Sequence, residues 1–349
     1  MSGGIDSSVA AALLKEQGHD VVGISLQLWN YSSNTDNRFG TCCSLDDLSD
    51  ARRVADKIGI PFYIINMEKE FRKKVVDPFI KDYVDGRTPI PCTLCNSHVK
   101  FGELLTKAEL LGCDKLATGH YASIAEDASG RRAIRRGRDT LKDQSYFLFD
   151  LSSSQIHRIV FPLGNMDKNE TRRLAKKFNL PVVTNKVESQ EICFVPNNNY
   201  VDFLSKQTNH KVFQEGKIID ASGKVLGSHR GYPAYTIGQR KGLDIGGLSE
   251  PYFVTKIDPI RNEITAGPKS QIFSKELFAA RVNWYWPKKE TFSAHVQIRY
   301  RHRPAAAQVT SLPNNRMRVE FCDPQSAVSP GQAAVVYQGD VVIGGGWIE

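Results

Sequence analysis

Three short strings in this chain carry side chains able to do chemistry, and the first is Ser2-Gly3-Gly4-Ile5-Asp6-Ser7-Ser8. It runs straight into a helix-forming stretch, so free backbone N–H groups and the positive end of a helix converge on whatever sits there. The glycines let a bound group approach the backbone, Ser7 and Ser8 add hydroxyl donors, and Asp6 is placed to help hold Mg²⁺. The string predicts an anion site. No Lys follows the glycines, so this is not the GxxxxGK[ST] loop used to cleave between the outer phosphates. The plainer alternative is a glycine-rich turn that only caps a helix.

The second string, Pro91-Cys92-Thr93-Leu94-Cys95-Asn96, puts a CxxC on an expected loop just before a helix, where the dipole and exposed N–H groups favour thiolate. The third, Ser189-Gln190-Glu191-Ile192-Cys193-Phe194, is expected on a loop after the last helix of an α/β region. At the loop edge of a parallel sheet Cys95 and Cys193 are able to face one crevice. Cys42 and Cys43 are adjacent, which suits joint ligation of one ion poorly, while Cys113 and Cys322 lie among apolar neighbours and read as core fillers. A zinc site from Cys92, Cys95 and His98 is the competing reading, but a second CxxC or an HxxxH partner is absent from the sequence. A thioredoxin-like redox pair lacks its sequence context.

The elements that must position these strings follow from periodicity. Helices are predicted from Val9 to Glu16, Asp46 to Ile58, Phe71 to Tyr83, Asn96 to Leu111 and Lys168 to Phe178, the last capped by Asp167. Strands are predicted from Val21 to Leu28, Phe62 to Asn66 and Lys115 to Thr118, the last running into Gly119-His120, with Gly86 to Cys92 as a proline-broken loop. Strands alternating with helices imply a largely parallel sheet over residues 1–198. The character changes near Asn197, and from Lys217 onward the apolar residues alternate and turn signals multiply, which predicts a small β-rich domain at 200–272 and a β-barrel at 275–349. Of 349 residues, 41% are hydrophobic and no run reaches the roughly 20 apolar residues of a membrane helix, so membrane spanning is excluded at this stage. A start without a secretory leader places the seven cysteines in a reducing compartment, the cytoplasm. The net charge of +8 favours a polyanionic partner.

Taken together, the strings resemble the tRNA 2-thiouridine synthases of the PP-loop ATPase superfamily, nearly end to end. The signposts are SGGIDSS, the Cys42-Cys43 segment, PCTLCN, TGHYA at 118–122, KDQSYFL at 142–148, SQEICFV at 189–195, YTIGQRKGL at 235–243, RYR at 299–301 and PGQAAVVY at 330–337. The resemblance implies an α/β PP-loop (adenine nucleotide α-hydrolase-like) domain, a small central domain and a C-terminal β-barrel. It implies that ATP is held by Ser2, Gly3, Gly4, Ile5, Asp6, Ser7, Ser8, the backbone at Leu26, and Gly119, with Mg²⁺ reached through ATP. Cys95 is implied as nucleophile and Cys193 as the persulfide carrier, with a disulfide between them afterwards. Ile90, Pro91, Cys92, His120, Lys142, Asp143, Gln144, Arg299, Tyr300 and Gln332 are implied as positions that hold tRNA.

The chemistry expected of such an enzyme is adenylation of the C2 oxygen of wobble uridine 34, then sulfur transfer from the persulfide to give 2-thiouridine, AMP and pyrophosphate. The tRNAs for lysine, glutamate and glutamine are the implied substrates, and a cysteine desulfurase or sulfur-relay protein the implied donor. Because Cys92 stands beside Cys95, three thiolates from Cys92, Cys95 and Cys193 also suit a [4Fe–4S] cluster that binds sulfide. The sequence departs from the family in three places: Leu26 stands where many relatives have Met, Ile90 where Asn is common, and only Met1 precedes the loop where a buried strand is usual. Either that strand is missing or the natural start lies upstream. The rival functions are another adenylating PP-loop enzyme, an amide or argininosuccinate-type synthetase, and a non-catalytic RNA-binding module.

Overall fold

The computed structural model describes residues 1–29, 45–181, 192–208, 210–286 and 290–349. Cys42, Cys43 and Ser189–Glu191 lie outside the described residues. The chain forms two compact units, Met1–Val76 with Cys92–Asn199 and Asp340–Ile343, and Asp77–Pro91 with Tyr200–Gly339 and Gly344–Glu349.

In the first unit, α1 (Ile5–Glu16) buries Val9, Ala10, Ala11, Ala12 and Leu13, small and branched side chains that let it sit within the core. β1 (Gly23–Gln27) and β2 (Phe62–Asn66) pair in parallel with Leu26 opposite Ile65, and α2 (Leu45–Ile58) precedes β2. The helix predicted from Phe71 to Tyr83 is built of α3 (Glu68–Phe71), a wide i→i+5 turn at Arg72–Val76, and α4 (Asp77–Val84). Next come α5 (Pro91–Leu94), a second wide helical stretch at Cys95–Glu103, and α6 (Leu104–Leu110). The short strand β3 (Leu116–Ala117) leads into an antiparallel hairpin, β4 (Ala122–Glu126) and β5 (Arg132–Arg136). After α7 (Ser153–Ile156), β6 (Ile159–Val160) pairs in parallel with β3. α8 (Lys168–Lys177) opens on the predicted cap: Asp167 accepts from Glu170 N at 2.8 Å, and Glu170 returns the contact to Asp167 N at 2.7 Å. Ile5, Val9 and Leu13 of α1 share one core with Tyr121, Leu163, Ala175 and Leu180. That packing fixes the loop end of α1 near the turn after β3.

The second unit gathers α4 with α9 (Tyr200–Gln207), their Tyr83 and Tyr200 rings stacked 4.8 Å apart. A four-stranded sheet runs β8 (Val225–His229), β7 (Gly216–Ile219), β10 (Glu263–Pro268), β9 (Tyr252–Asp258), over a core that includes Ile218, Tyr232, Val254 and Ile264. Six strands then close a barrel: β11 (Phe273–Trp284), β12 (Thr291–Gln297), β13 (Ala305–Leu312), β14 (Arg316–Ser326), β15 (Ala333–Gln338) and β16 (Val341–Ile348). β11 pairs with both β14 and β16, which removes the free edges. Along β14, Met317, Val319 and Phe321 point inward while Arg318, Glu320 and Cys322 face out. Cys322 is therefore exposed, not the core filler its apolar neighbours predict, because a strand alternates its faces whatever the local composition.

Candidate nucleotide and thiol site

The glycine string does run directly into α1, and Gly4, the residue before it, brings no side chain to cap the first-turn N–H groups. Within the loop, Ser2 N–H donates to Ser7 Oγ at 3.0 Å, the two hydroxyls lie 3.2 Å apart, and Ser8 Oγ donates to Gly4 O at 2.8 Å. Gly3 holds φ +68°, and a Cβ there would run into the backbone of Asp47 on α2. Gly119 is constrained from the other side, since a Cβ on it would stand 2.7 Å from both the Asp6 carbonyl carbon and Ser7 N. The turn after β3 lies on the loop only because residue 119 has no side chain. An uncapped helix start, converging hydroxyls and a glycine-lined approach fit a phosphate chain. Leu26 is buried on β1, opposite Ile65 of β2.

Asp6 is held from two sides. Lys168 Nζ donates to both of its carboxylate oxygens at 2.8 and 2.9 Å, and the Tyr121 hydroxyl donates to Oδ1 at 2.9 Å while lying 3.0 Å from Thr171 Oγ1. Lys168 and Thr171 stand outside every motif string, and Tyr121 enters only within TGHYA at 118–122. One local signal existed: Lys168 is the first residue of α8, where the helix dipole disfavours a cation.

Cys92 does not lie on a loop. Pro91 starts the helical turn α5, which contains Cys92, and Cys95 opens the wide stretch Cys95–Glu103. The reason is local, since proline at a first helical position costs no hydrogen bond and presets φ. Cys92 is exposed, Cys95 buried and Cys193 half-buried, and none of the described cysteines is in a disulfide. Around Cys95, Thr93 Oγ1, Asn96 Oδ1 and Ser97 Oγ are buried without a hydrogen-bond partner among the described residues, although Asn96 Nδ2 donates to Phe147 O at 3.2 Å. Such wide turns are frequent at functional sites. Phe194 anchors Cys193: its ring meets Phe71 edge-on at 5.5 Å and Trp29 at 6.4 Å, just past the carboxyl ends of β2 and β1. Among the described residues no three His, Cys, Asp or Glu side chains gather as metal ligands. Neither Cys92, Cys95 and Cys193 nor Cys92, Cys95 and His98 form such a group.

His120 sits between Phe101 and Phe161, with ring centroids 5.9 and 6.0 Å away, and its Nδ1 lies 2.8 Å from Thr118 Oγ1. Burial, seconded by the Lys100 charge, holds its imidazole well below the usual histidine range, so near neutral pH it is a hydrogen-bonding group without charge. A histidine neutral in the fold but free to protonate when unfolded lowers stability as pH falls below its unfolded value near 6.5. His120→Gln is therefore expected to flatten the loss of stability between about pH 7.5 and 5.5, by at most about 1.4 kcal/mol per pH unit. Urea midpoints at three pH values read this, and an unchanged slope would argue against a neutral His120.

Several of the remaining expected tRNA positions are occupied internally. Asp143 is buried, pairs with Arg136 at 2.8 Å, and accepts from Gly137 N, Ser145 N and Ser145 Oγ. Gln144 Oε1 accepts from Tyr121 N at 3.0 Å, which ties the 142–144 string to the Gly119–Tyr121 turn. Lys142 beside them is half-buried. In the second unit, Gln332 Nε2 donates to Thr88 O at 3.0 Å and supports the chain leading to buried Ile90 and Pro91. Arg299 Nη1 donates to Ser326 O at 2.9 Å, and the Tyr300 carbonyl accepts from Gln297 Nε2 at 2.6 Å.

Comparison with known proteins bears on this arrangement along the whole chain. The tRNA methyl transferase HUP domain family matches residues 1–197, the tRNA methyl transferase PRC-barrel domain family 201–268, and the aminomethyltransferase beta-barrel domain family 274–348. The chain is 51% identical over 353 aligned residues to a protein of Geotalea uraniireducens (strain Rf4) named tRNA-specific 2-thiouridylase MnmA, covering 100% of this chain and 93% of that one. Proteins of the same name from Geobacter metallireducens and Carboxydothermus hydrogenoformans are 51% and 47% identical, each aligned over 100% of this chain and over 95% and 96% of their own length. A nucleotide-type loop, its glycine-fitted turn and a full-length match at this identity place the chain in the tRNA-specific 2-thiouridylase family.

Proposed function

We propose that this protein is an ATP-dependent tRNA-uridine 2-sulfurtransferase that works in the cytoplasm and converts the wobble uridine to 2-thiouridine. The observation that supports it most is the Gly119 turn laid on the Asp6–Ser7 backbone, a cradle for a phosphate chain in a protein that carries Cys95 and Cys193. Ser2–Ser8 and Gly119 hold ATP, and Asp6 helps hold Mg²⁺. Adenylation turns the C2 oxygen of uridine 34 into part of a good leaving group. The outer sulfur of a Cys193 persulfide then attacks C2 and displaces AMP. Cys95 thiolate attacks the Cys193 sulfur, breaks the S–S bond and releases 2-thiouridine, leaving a Cys95–Cys193 disulfide for an outside thiol to reduce. A cysteine desulfurase or sulfur-relay protein reloads Cys193. His120, Lys142 and Tyr300 touch tRNA, whereas Asp143, Gln144 and Gln332 hold the backbone that does.

The deciding experiment incubates the protein with ATP, Mg²⁺, a persulfide source and unmodified tRNA for lysine, glutamate or glutamine, then analyses nucleosides by mass spectrometry. Appearance of 2-thiouridine is expected; tRNA left unmodified while pyrophosphate is released and another compound is adenylated would point to a different acceptor. The β-rich part from about residue 200 serves as a docking surface for the tRNA backbone. Affinity for tRNA is therefore expected to fall at least about tenfold between roughly 50 and 200 mM salt, and a flat response in filter binding would refute such docking.

A further inference from the structure

Lys168 stands where three physical terms oppose it. Its side chain is only 8% exposed, so the ammonium has lost most of its water. It is the first residue of α8, at the positive end of the helix dipole, whereas Lys176 and Lys177 occupy the favourable last turn. It also lies beside the start of α1, a second positive helix end, reached through Asp6. Asp6 answers all three, with Nζ at 2.8 and 2.9 Å from its two oxygens. A lysine needed only to hold α8 gains nothing from this place, because the capping box of Asp167 and Glu170 already secures that helix start. Yet an anion site with one bare carboxylate in it would repel phosphate.

We propose that Lys168 is the phosphate-binding cation of the nucleotide site, supplying from α8 the charge that the glycine loop does not carry in its own sequence. This rests on the nucleotide reading of the loop given above. Before nucleotide arrives, Asp6 and the Tyr121 hydroxyl keep the ammonium ionised and in place. Asp6 would share its carboxylate with Mg²⁺ when the ion is bound, and Nζ pairs with phosphate oxygens of the nucleotide, so the same lysine neutralises pyrophosphate as it departs. Asp6 is then both metal partner and competitor for the lysine.

Titration calorimetry of the full chain with ATP, with Mg²⁺-free pyrophosphate and with adenosine tests this. Lys168→Met, which keeps the aliphatic stem, is expected to weaken pyrophosphate binding at least about tenfold and to leave adenosine within about twofold. Lys168→Arg should stay within about fivefold of wild type for pyrophosphate. Asp6→Asn should bind Mg²⁺-free pyrophosphate a few-fold more tightly than wild type, because it releases the ammonium and removes a like charge. Unchanged pyrophosphate affinity in Lys168→Met overturns the proposal. If that variant does not fold, weaker or equal Mg²⁺-free binding in Asp6→Asn overturns it instead. Wild-type protein that binds neither ATP nor pyrophosphate would sink the nucleotide reading itself, a different result from either.

Discussion

In a single turnover without added thiol, Cys193→Ser and Cys95→Ser are each expected to lower 2-thiouridine formation by at least about a thousandfold while tRNA affinity stays within about twofold. A serine hydroxyl neither carries a persulfide nor attacks one at neutral pH, whereas neither thiol supplies charge to a phosphate contact. The two variants should part at an earlier step. Cys193→Ser still holds the nucleotide loop intact, since Phe194 and not the thiol packs on Phe71 and Trp29. It should therefore still release pyrophosphate when given ATP and tRNA. Cys95→Ser removes the group that resolves the proposed mixed disulfide, so a species of tRNA linked to Cys193 through sulfur should accumulate and be released by added dithiothreitol. Nucleoside mass spectrometry, pyrophosphate release and denaturing gels read the three quantities. Retained thiolation in either variant would remove that cysteine from the reaction, and loss of tRNA affinity in both would recast them as binding residues.

Gly119→Ala is expected to lower ATP affinity about 10- to 100-fold with a stability loss of about 1–3 kcal/mol. The new methyl group would stand 2.7 Å from the Asp6 carbonyl carbon and from Ser7 N. Both obstacles are backbone at the first turn of α1, so neither side yields by a rotamer change. Either the loop or the turn after β3 moves, and the N–H groups aimed at the phosphates move with it. Gly246→Ala makes the matched control, because a Cβ there meets nothing within 4 Å, and its ATP affinity should equal that of wild type. Equal ATP affinity in Gly119→Ala, measured by calorimetry beside that control, would detach the turn from the nucleotide site.

Much of what positions the site was readable one string at a time, wherever the determining interaction is short in sequence. The Ser2–Ser8 loop announces itself because glycines, hydroxyls and a helix start are contiguous, and the start of α8 because Asp167 and Glu170 are three residues apart. The alternating β-rich half closes into the predicted barrel, since the period of two is a property of each strand alone. Cys92 is the exception, because a proline between Gly86 and Cys92 reads as a loop breaker, yet Pro91 begins a helical turn.

By itself, then, the sequence determined the fold class, the glycine loop that runs into α1 and the identity of the thiols, because those depend on residue type and on spacings of a few positions. Tertiary structure alone decided that Asp77–Pro91 packs within the unit of Tyr200–Gly339, since the partners of Tyr83 and Thr88 are Tyr200 and Pro330, more than a hundred positions away. It alone decided that Gly119 must be glycine, and that Lys168 answers Asp6 across 162 positions. Such pairings depend on which helix and turn the closed core brings together, and a buried ammonium finds its carboxylate only once packing has stripped both of water.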